Sequence, residues 1–245
     1  MQLDRLALAV HVVAGGVAVV TFWLPWLVKK GGALHRRVGF VFTGAMAVVA
    51  VTGLLVSLLR LLDANPRNDA PALFLGAVGL LAGASASLGV RAIRTKRREA
   101  ANRNGWDLST AALLGLAGVG TLALAARESS LLFAVFGLLC TANAFGQLRF
   151  WLRPPEGRTA YLLQHIGGMG TACIATVTAF LVVNAPRLGI DGRTSLVLWI
   201  APGVLGGVGI SLWQARYRRT SARGRGVAPD ATALASAQPS RGPVA

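Results

Sequence analysis

Apolar positions along this chain fall in seven long blocks, not at the alternate positions of a strand or on one stripe of a surface helix. Each block runs roughly 18–25 residues, the length that crosses about 30 Å of hydrocarbon at about 1.5 Å per helical residue. The blocks predict helices over residues 6–28, 38–59, 71–90, 109–126, 129–148, 160–184 and 194–215. A membrane β-barrel would need strands of about 10 residues with alternating polarity, and these blocks do not alternate. The expected fold is all-α: an integral membrane bundle of seven transmembrane helices in residues 1–219. Residues 220–245 are rich in Ala, Ser, Arg, Gly and Pro without an apolar period, which predicts a disordered cytoplasmic tail. The first block is read as a retained span. A signal peptide has a basic start and an apolar core of about 7–15 residues, whereas Met1 to Arg5 is net neutral and the block is longer.

Punctuation inside the blocks refines the picture. Pro25 and Pro202 are expected to kink or hinge the first and seventh helices. The turn between the fourth and fifth helices is expected at Arg127-Glu128, which makes those helices antiparallel neighbours. Residues 91–108 are expected to form a partly helical extension on the membrane surface. Small residues mark where helices approach closely in lipid. They line the third helix at Gly76, Gly79, Gly83 and Ser87, and the sixth at Gly168, Ala172, Thr176 and Ala179. The seventh carries Gly203, Gly206, Gly207 and Gly209.

Composition supports the membrane reading. The chain is 54% hydrophobic and 14% charged, against about 45–50% and about 25% for soluble domains. Its mean hydropathy is +0.58. The net charge of +16 would suggest nucleic-acid binding if it lay on one face of a soluble domain. Here Lys and Arg concentrate in alternate turns, at Lys29–Arg37, Arg91–Arg103 and Arg149–Arg158, and again after the last helix. Intervening turns hold few. Basic loops stay cytoplasmic, so the pattern places the N-terminus outside and the C-terminus inside. Trp23, Trp26, Trp106, Trp151 and Trp213 fall near the same side, as interfacial aromatics do. The expected partners are the bilayer and its anionic headgroups, not nucleic acid.

Candidate chemistry is sparse. None of the nine acidic residues falls inside a predicted span, which argues against a carboxylate proton relay. The seventh helix has no mid-span Lys for a retinal Schiff base. Cys140 and Cys173 sit mid-span and read as small packing residues. Three histidines remain. His11 and His165 share helix faces with small residues, so both point at neighbouring helices. Their depths differ by about 13 Å, too far for one haem iron. His35 enters the second helix within about 8–10 Å of the depth of His165. His35 and His165 are therefore the candidate cofactor-binding pair, with Lys30, Arg36 and Arg37 as candidate anion-binding residues beside them. A b-type haem is the sharpest form of this site, and a lipid phosphate or another anion is the alternative. His11 is expected to stand apart, hydrogen-bonded to a carbonyl or hydroxyl of an adjacent helix. The opposing class is a small transporter or lipid-binding protein without cofactor, whose histidines only pack.

The run His11-x3-Gly15-Gly16, then Lys30-Gly31 and His35-Arg36-x-x-Gly39, with a later helix opening at Gln164-His165, resembles a family of uncharacterised predicted bacterial multi-pass membrane proteins. Where that family often has a basic, Trp-containing run after the later His, this chain has Ile166-Gly167-Gly168-Met169. The resemblance implies a bacterial cytoplasmic membrane protein and no particular activity.

The topology predicts that a reporter fused after Arg219 reads as cytoplasmic and one inserted within residues 63–69 reads as external. A cytoplasmic signal from the second position contradicts it.

Overall fold

The computed structural model describes residues 2–63, 66–190 and 192–223. In chain order the helices are α1 (Gln2–Thr21), α2 (Leu24–Leu27), α3 (Ala33–Leu62) and α4 (Pro66–Arg94). They continue with α5 (Gly105–Glu128), α6 (Leu131–Leu152), α7 (Ala160–Asn184) and α8 (Gly192–Arg223). A short 3-10 turn, Ala185–Leu188, closes α7, and no strand occurs among the described residues. Seven segments are long and apolar enough to cross a membrane, with α1 and α2 together forming the first. Large apolar side chains lie bare on the outside, Val20, Phe40, Leu116 and Leu205 each at least 70% exposed. Such a surface suits lipid and would be a liability in water.

Several boundaries depart from the sequence expectation for local reasons. The first block breaks at Phe22-Trp23, and Pro25 falls in the opening turn of α2. Proline lacks an N–H but is tolerated in a first turn, where that donor would be unpaired anyway. Pro25 therefore sits in a new helical turn instead of kinking α1 from within. Backbone helix α8 continues through Pro202. The turn between α5 and α6 lies two residues later than expected, at Ser129-Ser130. Ser129 takes a left-handed conformation, φ 49°, and the Ser130 hydroxyl caps the Phe133 N–H at 3.4 Å. The 91–108 segment is partly helical, as expected. It is helical only to Arg94, irregular over 95–104, and helical again from Gly105. Helix α8 runs four residues past the expected boundary at 219, and residues 224–245 of the expected disordered tail lie outside the described residues.

The bundle is organised around α4. Over half of its apolar stretch, 56%, is buried, against 28% at most for any other span and none for α8. Helix α4 packs on α3, α5, α6 and α7, whereas α1 rests mainly on α3 and α8 on α7. One core cluster joins Ala18, Phe42, Met46, Ala86 and Ala172 from α1, α3, α4 and α7. A second joins Leu81, Leu114 and Cys140 from α4, α5 and α6. Cys140 and Cys173 pack into different clusters and are both free.

Glycine explains how close the helices come. Lipid offers no hydrophobic drive between helices, so small residues that admit a neighbour's atoms set the contacts. A Cβ at Gly83 would lie 2.7 Å from Ala50 Cβ, and one at Gly76 2.7 Å from Ser57 Oγ, which defines the α3–α4 seam. On α7, a Cβ at Gly168 would lie 2.5 Å from the Ser85 carbonyl oxygen and 2.8 Å from the Gly89 nitrogen of α4. Here backbone meets backbone. The small face of α8 contributes less than expected: Gly206 admits Ile174, while Gly203, Gly207 and Gly209 face open space.

Gly168→Ala is expected to destabilise the protein by about 1–3 kcal/mol through overpacking, because the obstructing atoms belong to backbone. Gly44→Ala, with nothing within 4 Å, is expected to be neutral or slightly stabilising. Thermal unfolding in detergent compares them; equal midpoints would refute the seam.

Candidate functional site

The ends of the helices that carry the basic turns are tied together. At one corner Arg98 donates to the carbonyls of Phe150 and Arg153, at 2.5 and 2.9 Å, and lies over the Phe150 ring, 4.2 Å from its centre. Burial lowers the pKa of this guanidinium below its ordinary value. The Asn102 N–H donates to the Trp151 carbonyl at 2.8 Å. These bonds hold the 95–104 segment against the end of α6, which is why it needs no helix of its own. Trp151, read from the sequence as interfacial, is only 1% exposed beneath it.

Beside this clasp lies a group that the sequence reading missed. Helix α5 starts four residues earlier than expected, which puts Asp107 inside a span and 2% exposed. The expectation that every acid lies outside the spans therefore fails here. Arg91 grips Asp107 with Nε and Nη2, each at 2.6 Å, and Asn102 Nδ2 adds a third donor at 2.8 Å. Two parallel bonds to a carboxylate are the geometry that makes a buried charge tolerable. The sequence signal was Asn104, which caps the Trp106 N–H at 3.1 Å and so starts the helix ahead of the apolar block.

His35 and His165 come together. His35 sits in the first turn of α3 and His165 in the second turn of α7. Their ring centres are 6.4 Å apart with planes at 64°. His165 Nδ1 is 2.8 Å from the Gly89 carbonyl. A carbonyl accepts only, so Nδ1 carries the proton and donates, leaving Nε2 with its lone pair when the ring is neutral. The Gly89–Gly168 contact makes this bond possible, because it brings the α4 backbone within reach of α7. His35 Nδ1 is buried with no hydrogen-bond partner among the described residues.

The candidate anion-binding residues are more occupied. Lys30 Nζ donates to the carbonyls of Pro25 and Trp26 at 2.6 and 2.9 Å, capping α2. It also lies 5.8 Å from the Trp26 ring centre and 5.6 Å from that of Trp213. Burial lowers the pKa of this ammonium below its ordinary value. Arg36 Nη1 donates to the Gly31 carbonyl at 2.6 Å. Arg37 is exposed. Lys30 and Arg36 thus hold the α2–α3 turn that delivers His35.

His11 belongs elsewhere. Its Nδ1 is 3.0 Å from Thr52 Oγ1 on α3, and its ring faces Gly53. Thr52 lies 17 residues beyond His35 on the same helix, about 25 Å along its axis. Among the described residues no group of three or more His, Cys, Asp or Glu side chains could hold a metal ion. Comparison with protein-family models, with characterised proteins and with solved structures gives no match.

His11→Ala is expected to cost about 0.6 kcal/mol and at most about 2, the range for interhelical hydrogen bonds in membranes. Any ligand at the His35–His165 pair should be retained. A ligand lost in His11→Ala as completely as in His165→Ala, in paired titrations, would contradict the separation of the two sites.

Proposed function

We propose that the protein belongs to a bacterial cytoplasmic membrane, with its N-terminus outside, and works through a ligand held by His35 and His165 at the cytoplasmic end. A b-type haem is the ligand proposed. The single observation carrying this reading is the disposition of the two imidazoles. His35 and His165 would hold such a group between them, their ring centres lying 6.4 Å apart at the same end of the bundle.

Two further features fit. A ligating histidine usually donates its other N–H to a carbonyl or carboxylate, which fixes the ring and its tautomer; the Gly89 carbonyl does this for His165. The His35 nitrogen left buried without a partner is otherwise a cost of about 1–3 kcal/mol. Helices α3 and α7 each pack on α4 and also meet each other directly, with Thr176 Oγ1 3.2 Å from Met46 Sδ. Exposed Arg37, two residues after His35, and exposed Arg158, seven before His165, would offer cations to carboxylates on such a group. A haem held by two histidines supplies one-electron chemistry; the protein's part is to hold both imidazoles in place and to set the charge around them. The resemblance to uncharacterised bacterial multi-pass proteins is consistent with this reading and adds no activity.

The purified protein, produced with full haem supply, is expected to show a Soret band that His165→Ala abolishes. A colourless preparation rejects the haem reading in favour of a cofactor-free transporter or lipid-binding protein.

A further inference from the structure

Helices α6 and α7 follow each other in the chain, yet each packs on α4 and not along the other. Between them lies a cleft of about 240 Å³ with Leu88 of α4 among its lining residues. Asn143, Gly146 and Gln147 line it from α6, and Gln164 and Thr171 from α7. At the far end Trp199 of α8 packs against Phe74 and Phe136, with ring centres 5.3 and 5.6 Å apart. Near the basic end Gly146 is exposed on the cleft's rim, so the opening faces sideways, where lipid would be.

Gln147 is the anomaly. It is 3% exposed and lines the cleft, yet its Nε2 has no hydrogen-bond partner among the described residues. An unmet amide donor in a membrane interior is costly, and native proteins rarely keep one without a use. It lies five residues before the end of α6, about 8 Å along the axis. Among the described residues none that lines the cleft is charged. That disfavours a phosphate or carboxylate and favours a neutral acceptor.

We propose that this cleft binds a membrane-dissolved amphiphile by a neutral carbonyl group, which accepts from Gln147 Nε2, while its tail stays in the bilayer. The volume suits a head group and not a whole lipid. Two sources share this chemistry, the ring carbonyl of a quinone and the ester carbonyl of a glycerolipid. The proposal does not rest on haem: His165 faces α4, whereas Gln164 faces this cleft.

The test uses the full-length protein in detergent, with a decyl-substituted benzoquinone and dioleoylglycerol as separate probes. At saturation the bound probe is expected to raise the unfolding midpoint by about 5 °C, and Gln147→Met and Gln147→Leu should lose that rise. A rise with the quinone alone, with dioleoylglycerol alone, or with both, supports the proposal and identifies the source. No rise with either, or equal rises in the variants, overturns it. An infrared measurement on the unaltered protein stands apart from variant folding. The 13C-labelled carbonyl of the active probe should move to lower frequency on binding, and an unshifted band overturns the proposal.

Discussion

Backbone contact between α4 and α7 is the constraint from which the rest of this bundle follows. A membrane interior gives helices no hydrophobic reason to associate, so they come only as close as their smallest side chains allow. Gly89 and Gly168 allow the closest approach in the α4–α7 interface. That approach puts the Gly89 carbonyl where His165 can donate to it, and so decides which imidazole nitrogen is left free. It also seats α7 on one side of α4 while α6 takes another, which opens the polar cleft between them. The two proposed sites thus share one wall.

Charge in this protein serves as fastening as well as address. The +16 net charge concentrates in alternate turns and after the last helix, the kind of pattern that orients a membrane protein. Several of those cations also close the basic end. Arg98 ties the α4–α5 segment to α6, Lys30 caps α2, and Arg91 neutralises a buried aspartate. Each spends its donors on carbonyls or a carboxylate of the chain itself. The basic end is therefore less of an anion trap than its composition suggests, and the turn carrying His35 is correspondingly rigid.

What the sequence made legible was whatever depends on long averages. Seven spans follow from hydropathy over whole blocks, and the α5–α6 pairing from a short turn. The approach of His35 to His165 followed from depth arithmetic plus one assumption about neighbours, and the separateness of His11 from the same arithmetic. Features fixed by single contacts were not legible. Asp107 looked like a loop residue because its burial depends on Arg91, sixteen positions away, and on a cap that lengthens α5. Gln147 is one polar residue in an apolar run, and nothing in the run reveals an unpaired donor. The glycines of α8 looked like a packing face, but α8 packs mainly on α7, and only Gly206 of the four admits a neighbour's side chain. Pro25 looked like a kink because the sequence does not show that Phe22-Trp23 already ends the helix.

The central claim is that two imidazoles, from α3 and α7, hold one iron. Electron paramagnetic resonance of the oxidised, haem-supplied protein tests it directly, because two nitrogen ligands force ferric iron into a low-spin state and one alone does not. The account predicts a low-spin signal that turns high-spin in His35→Ala while the iron content is kept. A high-spin signal in the unaltered protein, or a low-spin signal indifferent to His35, would contradict it.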